Sequence, residues 1–276
     1  MEQLRGRTAL VTGASGGLGA HLARRLAREG MDVGLVARRE PELQALAEEL
    51  EQLGVRAAAL PADLSALDQI DALVERAEGA LGPLDLLINN AGVELTSDFC
   101  SYTRDELTGM LDLNLTAPLL LTHRVLPGML ERRRGHVAFI ASVAGKLGPA
   151  YQAPYAATKA GLIGLTQSLR AQYRHGAVGF SVVCPGFIAG DGMYQRMVEK
   201  GMKSNRLMGE TTLEKVCDAT VRAVRRDLPE AIESGVPLRP ALALAQLTPT
   251  LAERIAPRFG VTEIFRRTAV ARGRGG

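Results

Sequence analysis

The feature that most restricts this chain is a glycine-rich turn set between an apolar run and a run with helical spacing. Thr8 to Thr12 (TALVT) is short and apolar, Thr12 to Gly19 (TGASGGLG) places Gly13, Gly17 and Gly19 in succession, and Leu18 to Arg28 then has helical periodicity before Gly30. The rhythm repeats. Val33 to Ala37 reads as a second strand, and Pro41 opens a helix whose Leu43, Leu46, Ala47, Leu50 and Leu53 form one apolar stripe before Gly54. Val55 to Leu60 reads as a third strand. Leu84 to Asn89, His136 to Ser142 and Phe180 to Cys184 are further β-rich runs, each separated from the next by a helix-length segment. Strands that alternate with helices need crossover connections, and these make the sheet parallel and cover it on both faces. The expected fold class is α/β: a Rossmann-like doubly wound parallel sheet with helices on both faces, in a single domain with a C-terminal helical extension.

At 276 residues the chain is long enough for one large core. No linker divides its first 230 residues, and after Pro229 the character changes: Pro237, Pro240, Pro249 and Pro257 punctuate segments carrying Leu242, Leu244, Leu247, Leu251 and Ile255. Residues 1–235 are therefore read as the main domain and 236–276 as an appended amphipathic extension. Net charge is +3, and the aromatic share of 4% with no Trp leaves little for stacking bases, so nucleic acid is not an expected partner. From Glu253 onward six Arg stand against two Glu, so the basic character lies in the tail. Leu247, Leu251, Ile255 and Phe259 recur there every four residues among arginines, a stripe that suits core or dimer packing and also contact with an anionic membrane surface.

Three widely spaced cysteines, Cys100, Cys184 and Cys217, match neither a disulfide framework nor a metal site. His21, His123, His136 and His175 also lack ligand spacing, so no metal is expected, and exposed or helix-terminal positions account for them. The opening residues carry no signal-peptide pattern and no stretch is long and apolar enough to span a bilayer, so a cytoplasmic location is expected.

The glycine turn lets backbone approach a pyrophosphate at a helix N-terminus, whose free N–H groups and dipole favour anions; in isolation it is also a plain turn. Arg38 and Arg39 follow the second strand, where a carboxylate would suit the ribose 2′-OH of NAD. A guanidinium there suits the 2′-phosphate of NADP, with Arg38 the first choice, although two solvated arginines at a helix start have the same look. Tyr155 and Lys159 (YAATK), four apart, share one face if the segment is helical, and a cation beside a phenol lowers its pKa into a useful range. Ser142, ending a predicted strand, can meet that Tyr at the sheet's carboxyl edge.

Together with Asp63-Leu64, Asn89 to Gly92 (NNAG), Asn114 and Pro185-Gly186, these motifs resemble the short-chain dehydrogenase/reductase family across roughly residues 5 to 230. The resemblance implies that Tyr155 protonates a carbonyl or deprotonates an alcohol while hydride moves at the nicotinamide. Ser142 would polarise the same oxygen, and Lys159 would hold the ribose. Asn114 would kink its helix and hold a water leading from Lys159 to solvent. NADP(H) would lie against Gly13, Ser15, Gly17, Leu18, Gly19, Arg38, Arg39, Asp63, Leu64, Asn90, Ala91, Gly92, Tyr155, Lys159, Pro185, Gly186 and Ile188. Asp63 would meet the adenine, and Asn90 would brace the central strands.

Two departures qualify the resemblance. Ala189 stands where many members have a Thr facing the carboxamide, and Ala231 to Gly235 replaces the closing segment usual in tetramers. A homodimer is thus expected over a tetramer. Met193, Met197, Met202 and Met208, with Tyr194 and Leu207, fall where the family has its substrate lid, so the expected partner is a small-molecule hydrophobic carbonyl or alcohol of the bulky kind, although the methionines also suit packing of the lid on its own domain.

Overall fold

The structure, a computed structural model, describes residues 1, 3–189, 209–255 and 261–273. Its centre is a seven-stranded parallel sheet in the order β3-β2-β1-β4-β5-β6-β9, a Rossmann-like arrangement. The strands are β1 (Thr8–Thr12), β2 (Asp32–Ala37), β3 (Ala57–Pro61), β4 (Leu86–Asn89), β5 (Gly135–Ile140), β6 (Val178–Pro185) and β9 (Glu230–Glu233). Five of the six predicted strands shift by one or two residues at an end, whereas β1 keeps its predicted bounds.

Helices α1 (Gly17–Arg28), α2 (Glu40–Glu51) and α8 (Leu213–Arg226) cover one face through Leu22, Leu26, Leu43, Leu50, Val216 and Val224. On the other face lie α3 (Ile70–Leu81), α5 (Ala117–Glu131) and α7 (Ala153–Gln172), packed through Val74, Leu121, Leu126 and Leu162 onto Leu87, Val137 and Phe139. Both faces are dry, so β1 is buried at every residue. The strand order reverses direction between β1 and β4, and that point opens a crevice beyond the carboxyl ends of the strands.

Three expectations need correction. Leu53 was expected on the apolar stripe of α2, but the helix ends at Glu51 and leaves Leu53 48% exposed in the following turn. The change of character placed after Pro229 precedes the last strand of the sheet: β9 pairs with β6 through Val182 and Glu230 up to Pro185 and Glu233, so the body runs to that strand. His136, expected at an exposed or helix-terminal position, is 1% exposed within β5. A strand buried on both faces has no polar side for it, and its ring is instead satisfied by Ser181.

Ser181 Oγ donates to the Leu228 carbonyl at 2.6 Å, which leaves the hydroxyl oxygen to accept from His136 Nε2–H at 2.9 Å. Nδ1 then makes no hydrogen bond among the described residues and faces the Asp227 carboxylate at 3.9 Å. Burial first, then the N-terminal cation and Arg170, push the ring pKa from 6.5 to about 3. A His kept neutral in the fold but protonated when unfolded costs stability as pH falls below 6.5, and the cost grows until about pH 3. The melting temperature should therefore fall more steeply on acidification in the wild type than in His136→Gln, which keeps a donor for Ser181; parallel curves would remove His136 from the linkage.

Beyond β6 the chain forms a two-stranded parallel pair, β7 (Phe187–Ala189) with β8 (Glu210–Thr212). Three short helices follow β9: α9 (Arg239–Leu247), α10 (Pro249–Ile255) and α11 (Val261–Gly273). The break at Thr248 and Pro249 divides the stripe expected along the tail, so Leu247 ends one helix while Leu251 and Ile255 belong to the next. Phe259 lies outside the described residues, as do the methionines, Tyr194 and Leu207 assigned to a lid. No helix among the described residues is long and apolar enough to cross a membrane.

Candidate active site

The crevice is a cavity of about 1790 Å³ at the carboxyl edge of the sheet. It opens where β1 hands over to α1. Gly13 takes a left-handed φ of +71°, and a Cβ on Gly19 would stand 2.1 Å from the Gly13 carbonyl oxygen, so the turn closes only around a residue without a side chain. Helix α1 has Gly16 at its N-cap, with no side chain capping it and no acid in the first turn. Its first N–H groups therefore face the crevice as an anion site.

The floor is tied together by a residue that the sequence reading left out of the site. Thr12 Oγ1 accepts from the backbone N–H of Asn90 and of Ala91, each at 2.9 Å, and donates to the Ile88 carbonyl at 3.3 Å. Asn90 Nδ2 returns a bond to the Thr12 carbonyl at 2.8 Å. These four bonds fix the ends of β1 and β4 side by side. Thr12 opens the glycine motif, so its place was visible, but a hydroxyl reaching across to another strand has no local signature.

At one end of the crevice Arg39 Nη2 donates to the Ser15 carbonyl at 3.0 Å and to its hydroxyl at 3.1 Å, and Arg39 also pairs with Glu42. Arg38 is exposed beside it and makes no hydrogen bond or ion pair with the described residues. Asp63 accepts from the Ser65 hydroxyl and N–H, and these bonds together with the charge of Arg38 hold its carboxyl below the usual range. Gly17, Leu18, Leu64, Gly92, Pro185, Gly186 and Ile188 line the same crevice. Of the predicted site residues only Asn114 does not.

The other end holds Ser142, Tyr155 and Lys159. Strand β5 stops two residues before Ser142, but Ala141 N–H still donates to Val183 at 2.8 Å and Val143 N–H to Pro185 at 3.0 Å, so β6 carries Ser142 past the strand end. Ser142 Oγ accepts from Ala144 N–H at 3.1 Å, at the start of the short helix α6 (Ala144–Leu147), and its hydroxyl lines the cavity with Tyr155, whose pKa it lowers. Tyr155 and Lys159 lie one turn apart on α7, and Lys159 Nζ stands 5.7 Å from the Tyr155 ring centre. Lys159 also donates to the Ile140 carbonyl at 2.9 Å.

A cation lowering the phenol pKa was the expectation. The structure instead pushes Tyr155 up: burial is the largest cause and the Glu94 carboxylate adds to it, with only the Ser142 hydroxyl acting the other way. Burial likewise brings Lys159 down to about 8. Glu94 was not foreseen; it accepts from Thr96 Oγ1 at 3.2 Å and from Gln152 Nε2, the residue that precedes α7. Through those contacts it holds the loop of residues 93–97 against the start of the Tyr155 helix.

Asn114 is fully buried behind Gly92 and Lys159, inside a five-residue π-turn, Asp112–Thr116, between α4 (Arg104–Leu111) and α5. Its Oδ1 accepts from Val93 N–H at 2.8 Å, while Nδ2 donates to the Val93 carbonyl at 2.9 Å and to Thr158 Oγ1 at 3.3 Å. The side chain thus serves as a template for backbone next to the glycine motif's partner loop. The kink expected at Asn114 is this π-turn.

The assembly defines a class: a dinucleotide-binding α/β fold with a phenol, a hydroxyl and an ammonium at the far end of its crevice. The family model for short chain dehydrogenase matches residues 7–200. Ketoacyl reductase HetN of Nostoc sp. is 37% identical over 281 residues, covering 100% of this chain and 97% of that protein. Nodulation protein G of a Rhizobium sp. is 41% identical over 188 residues, 68% of this chain and 76% of its own length. Among solved structures, a metagenomic short-chain oxidoreductase in complex with NADP superposes with a TM-score of 0.72 at 31% identity, over 85% of this chain and 99% of that one. A short-chain dehydrogenase/reductase from Burkholderia phymatum in complex with NAD shares the fold, with a TM-score of 0.80 at 24% identity over 91% and 96% of the two chains. The chain belongs to the short-chain dehydrogenase/reductase family and is an oxidoreductase.

Removing the Asn114 side chain takes the partner from Val93 N–H and C=O, both part-buried, and a lost hydrogen bond of this kind costs about 0.5–1.5 kcal/mol. Asn114→Ala should lower stability by about 1–3 kcal/mol in urea unfolding and reduce turnover further than the unfolded fraction explains. Full activity in the folded variant would show that the Val93 loop holds its place without the amide.

Proposed function

We propose that the protein is an NADP(H)-dependent reductase that converts a ketone or aldehyde on a hydrophobic substrate to the alcohol. One observation carries the reading: a buried Tyr155 phenol in one cavity lining with the Ser142 hydroxyl, with Lys159 one helical turn away, in a crevice that begins at the open N-terminus of α1. The residues present fit a dinucleotide. The glycine turn admits a pyrophosphate, Asp63 and Leu64 flank the adenine end, and Lys159, Pro185 and Ile188 line the nicotinamide end. When bound, the nicotinamide supplies the hydride.

The protein's share is binding and the proton. A substrate carbonyl oxygen set between the Ser142 and Tyr155 hydroxyls accepts a hydrogen bond from each, and as carbon receives hydride the growing negative charge on oxygen draws the Tyr155 proton. One hydride and one proton complete the alcohol. The phenolate left behind faces the Lys159 ammonium. Because burial keeps Tyr155 protonated at neutral pH, the resting protein already holds the acid that reduction requires. The names of relatives agree in direction, since HetN is called a ketoacyl reductase. We assign the chain to a homodimer acting on a soluble substrate pool.

Tyr155→Phe should bind NADPH as the wild type does yet lose about 10²–10⁴ in kcat, the usual share of a placed acid, measured by NADPH oxidation over a graded panel of ketones and aldehydes. Turnover that survives in the variant would sink the assignment of the acid. Lys159 carries its charge below about pH 8 and loses it above, so kcat/KM for reduction should be level at neutral pH and decline through about pH 8. Lys159→Arg should carry that decline to higher pH.

Cofactor choice is tested separately. Arg38 offers an unpaired guanidinium beside the glycine turn, and charge-assisted bonds to a 2′-phosphate contribute about 1.5–3 kcal/mol. Arg38→Ala should therefore weaken NADPH about 10- to 100-fold in titration while leaving NADH unchanged. Equal losses for the two cofactors would point to a disturbed loop.

A further inference from the structure

One wall of the catalytic crevice comes from the C-terminal helices, which lie beyond the residues matched by the family model. Two anchors hold that wall. Gln246 Nε2 of α9 donates to the Lys146 carbonyl at 3.4 Å, and Lys146 sits on α6, the short helix that starts two residues after Ser142. On the other side Phe265 of α11, 2% exposed, stacks on Phe187 with ring centres 6.4 Å apart, and Phe187 directly follows Pro185-Gly186. The extension therefore bridges the two segments that flank the reacting end of the crevice.

Between the anchors the wall is mainly aliphatic, with leucines that the described residues leave half-exposed. Leu244 of α9, Leu251 of α10 and Leu147 of α6 all line the cavity, yet they are 54%, 46% and 51% exposed. Leu247 on the same helix as Leu244 is 82% exposed and is not a lining residue, so the exposure of the other leucines has a direction. Leucines at half exposure inside a concavity offer apolar area that a ligand can remove from water. The cavity, at about 1790 Å³, also exceeds the roughly 300–1,000 Å³ of an ordinary small-molecule site. Leu147, Leu244 and Leu251 are not among the residues to which the dinucleotide is assigned, so it leaves that apolar wall unaccounted for.

We propose that the C-terminal extension is the chain-binding wall of the substrate site: Leu147, Leu244 and Leu251 seat the alkyl chain of a linear ketone whose carbonyl lies against Ser142 and Tyr155. This rests on the reductase reading and narrows its hydrophobic substrate to an extended chain. The wall offers aliphatic side chains on separate short helices, and such a surface discriminates by area buried, which a linear chain supplies in equal steps, methylene by methylene.

The test is a homologous series of linear ketones, short to long, with wild type, Leu244→Asp, Leu251→Asp and, as control, Leu247→Asp. All three positions are exposed, so the variants should fold, and melting curves check this. In the wild type kcat/KM should rise up to about fourfold per methylene that reaches the wall. Leu244→Asp and Leu251→Asp should flatten that rise while the shortest ketone stays within about twofold of wild type; Leu247→Asp should keep the rise. An unchanged slope in the first two variants, or an equal loss in all three, would overturn the proposal. So would a loss confined to a rigid polycyclic ketone.

Displacement of an environment-sensitive alkyl fluorophore needs no turnover and separates the two readings. If the wild type reduces no ketone, the reductase reading fails, and the wall is still decided: probe binding weakened only by Leu244→Asp and Leu251→Asp supports it, and equal binding in all variants refutes it.

Discussion

The seam between β1 and β4 is the constraint from which the site follows. A parallel sheet with helices on both faces has to reverse its winding somewhere, and here the reversal falls between these two strands. Left alone, their carboxyl ends would splay, since the chains depart in opposite directions to α1 and to the loop before α4. The Thr12 hydroxyl prevents it by accepting from two consecutive N–H groups on the far strand while donating to a third residue there. Everything that faces the crevice is referenced to this point: the glycine turn leaves from Thr12, the loop carrying Gly92 leaves from Asn90, and Asn114 grips the next residue of that loop, Val93.

Asn114 extends the frame to the chemistry. Its amide binds Val93 on one side and Thr158 on the other, and Thr158 Oγ1 donates to the carbonyl of Tyr155 at 2.7 Å. Glu94 and Gln152 make a second link between the same loop and the head of α7. The loop after β4 and the helix bearing Tyr155 and Lys159 are therefore positioned by buried polar bonds, which are directional, and not by apolar contact alone, which is not. Low dielectric has a second effect there. It keeps the proton on Tyr155 and loosens the one on Lys159, so two groups of similar acidity in water are driven apart, the phenol up and the ammonium down.

The alternation of strands and helices was legible because each element repeats a local period, and crossover connections then make the sheet parallel, while the strand order came from the structure. Gly13, Gly19, Ser142, Tyr155 and Lys159 were legible for a related reason: each sits at a fixed offset from an element end. What escaped depends on contacts distant in sequence. Thr12 and Glu94 act on partners 78 and 58 residues away. His136 looked like a surface residue because its partner, Ser181, is on another strand. The acidity of Tyr155 was misjudged for the same cause: the neighbouring cation is visible at i+4, but the burial that outweighs it is set by the whole fold. Leu53 failed at an element boundary, where a helix period continues in the letters after the backbone has turned.

The extension shows how a common body and a particular specificity divide along one chain. Residues up to Ala189, with α8 and β9, supply the sheet and its cover, the glycine turn and the reacting groups, whose positions are fixed by hydrogen bonds at short range. The C-terminal helices bring Thr248, Glu253 and Thr262 to the cavity lining, but most of what they contribute there is apolar. They add a surface, held at α6 by one side-chain bond and at Phe187 by one ring contact, with buried Leu242 and Ala269 completing the seat. Such a wall can change in shape without disturbing Thr12, Asn114 or the pair on α7, because none of its anchors passes through them. Chemistry and selectivity are then mechanically separate: the strand ends decide where the proton is delivered, and the leucines facing the cavity decide how much apolar chain can lie beside it.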